Sequence, residues 1–140
     1  MSILLDDGQQ AIANESRRVV DAKVDKAKSL ALLEASGDYD DAYWSMCKEQ
    51  GWTAVALPEA SGGLGLSPVE LGQVAVAIGA GVAGAPFLTT NYGAALAIDR
   101  AGDAASKERW LTALIAGDAI GCIAFAEGQS PLPALPQVNF

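Results

Sequence analysis

The chain of 140 residues contains no histidine. That removes the usual general base and the commonest metal ligand. A histidine-dependent nucleophilic triad within these residues is therefore excluded. Basic residues are also few, 9 Lys and Arg against 17 Asp and Glu, for a net charge of −8. No basic patch is dense enough to replace phosphate counterions, which argues against nucleic-acid binding. The two cysteines, Cys47 and Cys122, are far apart and fit no metal or redox spacing. They read as reduced, buried structural thiols. Aromatics make up only 6% of the residues, so alanine and glycine carry much of the 51% apolar content. Helices built from such residues can approach closely. The N-terminal MSILLDDGQQ has neither the basic n-region nor the apolar h-region of a secretory signal. It is not an Arg-rich transit peptide either, and the cytoplasm is the default address.

Charge is missing altogether between Leu71 and Ile98. A membrane-spanning helix needs about 20 strongly apolar residues in succession. Here Gly79, Gly81, Gly84 and Pro86 interrupt the run, which reads as a buried helix and a turn. No membrane partner is expected.

Apolar positions at helical spacing, among them Ile12, Val19, Val20, Val24, Ala27, Leu30 and Ala31, predict one long helix over 7–35. Ser36-Gly37 stops it. A second helix is expected over about 39–50, with Asp38 as cap, Asp40 and Asp41 in the first turn, and Ala42, Tyr43, Met46 and Cys47 facing inward. No EF-hand frame surrounds these acids, and no metal site is expected. Trp52–Pro58 then reads as a short extended connection. Ser67-Pro68-Val69-Glu70 carries the signature of a capping box with proline at the first helical position, opening a helix that runs to about Ala83. Further helices are expected over about 90–101 and 103–116, the last burying Trp110, Leu111, Leu114 and Ile115. Residues 119–126, AIGCIAFA, have the length and composition of a strand, followed by a proline-rich ending. That strand has no reliable partner within the chain. The predicted architecture is all-α, an up-and-down bundle of about five helices over 1–118, with one orphan strand and loop of a truncated β-domain over 119–140.

Between these helices lies PEASGGLGLSPVE, residues 58–70, whose glycines invite comparison with a phosphate cradle. It lacks the Lys-Ser/Thr of a P-loop, and its glycine spacing is not a dinucleotide fingerprint. Positive-φ turns and close backbone approach explain its glycines better.

The order of features carries a resemblance. Gly51-Trp52, then LPEASGGLGLSPVE, an uncharged helix, a Pro-Phe loop, Lys107…Trp110-Leu111…Ala116-Gly117-Asp118 and an apolar strand ending Ala126-Glu127 together resemble the N-terminal helical domain of the acyl-CoA dehydrogenase flavoproteins. The resemblance covers about 4–126. It implies a three-part protein, with a middle β-domain and a C-terminal helical bundle beyond this chain. It implies FAD between those later parts and an acyl-CoA thioester whose tail runs toward the N-terminal helices. Oxidation in the family combines α-proton removal by a carboxylate with hydride transfer from the β-carbon to flavin. That carboxylate belongs to the later helical domain, so no catalytic residue is expected here.

The resemblance further implies that Phe125 and Ala126 are cofactor contacts and that Phe87, Leu88 and Thr90 wall the acyl tail. A core plug is the competing role for Phe87. At Ala126 the family usually has threonine, and after Glu127 its cofactor loop is replaced by GQSPLP. These departures suit a partner subunit with a decayed site in a hetero-oligomeric dehydrogenase. A homo-oligomer, or a non-enzymatic helical module whose strand joins a partner's sheet, are the other readings.

Overall fold

The structure, a computed structural model, describes residues 4–34, 39–82 and 84–124. These residues form six α-helices, two single 3-10 turns and a π-helical segment. No strand occurs among them.

Helix α1 spans Asp7–Lys23 and is opened by a capping box at Asp6 and Gln9. It buries Ser16, Val19 and Val20. The single long helix expected from periodicity is broken here, because Val24 turns extended (φ −80, ψ 119). Asp25 then caps a separate helix α2, Lys26–Glu34, its carboxylate accepting from the N–H groups of Ala27 and Lys28 at 2.9 and 3.2 Å. The break redirects the apolar residues behind it: Ala27, Leu30 and Ala31 are exposed rather than buried, and Ser29 is the buried residue of α2.

Helix α3, Asp41–Glu49, is capped by Asp40, whose carboxylate accepts from Ala42 and Tyr43. Asp38, the expected cap, lies outside the described residues. Tyr43, Met46 and Cys47 are buried as expected, but Ala42 is exposed, and Trp44 takes its place inside. The Trp44 indole N–H donates to the Gly117 carbonyl at 2.9 Å, tying α3 to the end of the last helix.

The Trp52–Pro58 stretch is not extended. Gly51, in the left-handed region at φ 70, turns the chain into a 3-10 turn over Trp52–Ala54. That turn buries Trp52, Thr53, Ala54, Val55 and Leu57. Helix α4, Pro68–Ala80, begins at the predicted capping box. Glu70 accepts from the Ser67 N–H at 2.8 Å and from Gln9 Nε2 at 3.0 Å, so the cap also joins α4 to α1. The Ser67 hydroxyl, which also hydrogen-bonds Glu70, together with the Gln9 contact outweighs burial and holds the Glu70 carboxyl below its usual value.

Helices α1 and α4 pack along each other, so closely that a Cβ on Gly81 would lie 2.4 Å from Val20 Cγ1. With α3 and Phe87 they make the main core. After α4 comes the π-helical Leu88–Ala95, continued by α5, Leu96–Ala101. Helix α6, Ala104–Ala116, is capped by Asp103 and closed by Gly117 at φ 70. Leu111 and Leu114 of α6 form a second cluster with Leu57 and Ala95. Trp110, expected inside, is 43% exposed with the Arg109 guanidinium 4.7 Å from its ring centre.

Candidate functional site

The glycine loop has no free donors to offer a phosphate. The N–H groups of Gly62, Gly63, Leu64, Gly65 and Leu66 donate inward, to the carbonyls of Glu59, Pro58, Ala54, Leu57 and Val55, at 2.9 to 3.0 Å. Gly62 and Gly65 take positive φ, 89° and 65°. A Cβ on Gly63 would lie 2.1 Å from the Leu57 carbonyl oxygen. The loop is a folded-back turn around the buried Trp52–Leu57 segment.

The apolar groove lies elsewhere, where α2 meets the C-terminal end of α4 and the Gly84–Thr89 turn. One lobe, of about 320 Å³, is lined by Leu32, Leu33, Ile78, Val82, Pro86 and Leu88 among others. An adjoining lobe of about 380 Å³ shares Ser29, Leu33 and Val82 and adds Leu30. Leu33 is 71% and Leu88 55% exposed, so apolar side chains stand open on this surface. Val82 holds φ 50, a conformation that costs a β-branched residue. Among the described residues neither lobe is lined by a carboxylate, and Lys26 at the rim is the single charged lining residue. Such a surface can exclude water from an apolar group, and its described lining has no carboxylate to move a proton.

Phe87, Leu88 and Thr90 do not converge. Phe87 is fully buried in the main core, beside α3 and α4. Leu88 is in the groove, followed by Thr89. Thr90 is fully buried and turns toward residues 119–124, its hydroxyl 3.3 Å from the Gly121 nitrogen. Phe125 and Ala126 lie outside the described residues. The described part of the expected strand, 119–124, joins no ladder. Cys122 on this segment is exposed, contrary to the expected burial, because this stretch lies at the surface. Cys47 is buried in the core, and burial pushes its thiol up to about 12.

Sequence reasoning missed Leu32, Leu33, Ile78 and Val82. The available signal was the Leu30…Leu32-Leu33 cluster, which leaves leucines on more than one face of a short helix. The continuous helical periodicity of 7–35 hides it. Among the described residues no helix is long and apolar enough to cross a membrane, and no group of His, Cys, Asp and Glu could hold a metal ion.

Residues 6–118 match the family described as acyl-CoA dehydrogenase, N-terminal domain. No curated protein shows a significant sequence match. Similar solved structures include the ChsE4–ChsE5 complex from Mycobacterium tuberculosis, at 26% identity and a TM-score of 0.82 over 94% of this chain. A variant of the Tcur3481–Tcur3483 steroid ACAD gives 26% identity and a TM-score of 0.77 over 86%. The chain spans 36% and 33% of the length of those two chains. The fold, the family match and both structural likenesses agree: this chain belongs to the acyl-CoA dehydrogenase family and carries its N-terminal helical domain.

Proposed function

We propose that the chain is the N-terminal part of an FAD-dependent acyl-CoA dehydrogenase subunit, where it supplies an apolar wall to the acyl site and no catalytic group. The observation that carries this reading is the groove of Leu32, Leu33, Ile78, Val82 and Leu88, apolar and without a lining carboxylate. Each methylene of a substrate buried there contributes about 0.8 kcal/mol. Phe87 supports the wall from behind, in the core, while Thr90 faces the 119–124 segment. FAD in such enzymes accepts the hydride leaving the substrate β-carbon. Among the described residues the glycine-rich loop spends its N–H groups internally and leaves none for the cofactor's phosphates. No step passes through FAD on these residues, and Phe125 and Ala126 are the flavin contacts that the family likeness supports.

We place the domain edge after Asp118, where the family match ends. The remaining domains and the carboxylate base belong to the complete protein, in keeping with the third of the length that this chain spans. The likeness to a steroid ACAD favours a bulky apolar acyl group as substrate class. Assembly with a second subunit type is a finer reading, favoured by the likeness to the ChsE4–ChsE5 complex. The GQSPLP sequence at 128–133 in place of the family's cofactor loop favours it too.

The complete protein, purified with any partner subunit, tests the proposal. Bound flavin whose visible absorbance bleaches on addition of an acyl-CoA thioester is the expected result. A complete protein or complex that carries no flavin and binds no acyl-CoA would overturn it.

A further inference from the structure

Residues 119–124 pose a physical problem that the acyl-wall reading leaves untouched. They run apolar and without a ladder; most are exposed to water, and the half-buried Gly121 needs a partner from the protein. At Gly121 both groups meet one side chain. The Thr90 hydroxyl accepts from the Gly121 N–H at 3.3 Å and donates to the Gly121 carbonyl at 3.4 Å. Thr90 has no exposed surface and sits in the π-helical segment, where the regular helix is widened. The fit around the contact is close. A Cβ on Gly121 would lie 2.6 Å from Ala94 Cβ and 3.6 Å from Leu114 Cδ2. One on Gly93 would lie 3.8 Å from Ile123 Cγ1.

The π-helical segment is itself anchored from behind. Asn91 Nδ2 donates to the Thr53 carbonyl at 2.8 Å, and the Thr53 hydroxyl donates to the Ile115 carbonyl at 2.7 Å. Thr90 is thus presented from a segment fixed to the 3-10 turn and, through it, to α6.

We propose that Thr90 is a positioning residue: its hydroxyl stands in for one rung of a neighbouring strand, seats Gly121 against Ala94, and so sets the path of the chain leaving the helical domain. The inference rests on the described residues and does not require the acyl-site reading.

Amide hydrogen exchange on the full chain tests it. Thr90→Val keeps the side-chain volume and removes the hydroxyl. It should speed exchange of the Gly121 amide by roughly fivefold or more, with the α4 amides unchanged. Thr90→Ser, which restores the hydroxyl, should return the rate to that of the parent. A second pair of variants keeps the test decisive should Thr90→Val fold poorly. Gly121→Ala should accelerate protease cleavage within 119–124, and adding Ala94→Gly should restore resistance by making room for the new methyl. Gly121 exchange that is indifferent to Thr90→Val, Thr90→Ser behaving like Thr90→Val, or no compensation by Ala94→Gly would each overturn the clasp.

Discussion

At the scale of single residues, burial and backbone geometry separate positions that look alike in sequence. Cys47 and Cys122 are both cysteines in apolar surroundings, yet one is enclosed in the core and the other open to solvent. The thiolate is the reactive form, so a thiol held at about 12 is inert near neutrality. Alkylation of the native chain should therefore modify Cys122 alone. In a Cys122→Ser variant, labelling should appear only with unfolding, and prompt native labelling of Cys47 would contradict its placement. The glycines divide in the same way. Gly63→Ala drives a methyl into the Leu57 carbonyl, and overpacking of this kind costs about 1–3 kcal/mol. Gly79 has open space around its Cβ position within α4, so Gly79→Ala should stabilise by up to about 1 kcal/mol. Denaturant unfolding reads both, and the opposite signs make the comparison informative. Which glycine is which could not be read from PEASGGLGLSPVE, because the backbone that approaches Gly63 is set by the buried turn before it.

At the scale of elements, capping chemistry was the most legible signal. Ser67-Pro68-Val69-Glu70 opens α4 as its sequence demands, and Asp103 opens α6. Caps are local, requiring only a side chain within three residues of the N–H it serves. The broken first helix was less legible because Asp25 sits among residues that suit either a continuous helix or a new start. Only tertiary contact decides between them: Val20, near the end of α1, packs against Gly81, while Lys28 of α2 pairs with Asp40 at 2.6 Å. Asp25→Ala should cost about 1 kcal/mol through loss of the α2 cap, read by thermal or denaturant unfolding. The α4 cap has a pH signature. The Ser67 and Gln9 contacts favour ionised Glu70, so its folded pKa lies below its unfolded one. The contribution is then complete above the ordinary glutamate value of about 4.3 and is lost as pH falls through the lower folded value. Glu70→Gln should flatten that part of the acid-unfolding curve. An unchanged pH dependence would show that the cap does not titrate with folding.

At the scale of the whole molecule, the sequence carried the family and the helical architecture but not the site. The ordered features from Gly51 to Asp118 survive as a pattern because each marks a turn, cap or close approach that the fold requires. The groove is different in kind. It arises where α2, the end of α4 and the 84–89 turn meet, and no local pattern records that meeting. Phe87, Leu88 and Thr90 are neighbours in sequence, but the helical backbone sends them to the core, the groove and the 119–124 segment. Leu33, 55 positions earlier than Leu88, shares the groove with it. What the molecule offers is an exposed apolar surface on a helical body, with no carboxylate among its described lining residues.

We propose that this surface binds the acyl tail and leaves the chemistry to other domains. The most direct measurement is the dependence of kcat/KM on acyl size in the complete enzyme, for the parent and for Leu88→Ser with Leu33→Ser. A selective loss for large acyl groups is expected, approaching about fourfold for each methylene no longer buried. Short thioesters should react as before, and kcat at saturation should hold. An equal loss for short and large substrates, or no loss for either, would contradict it.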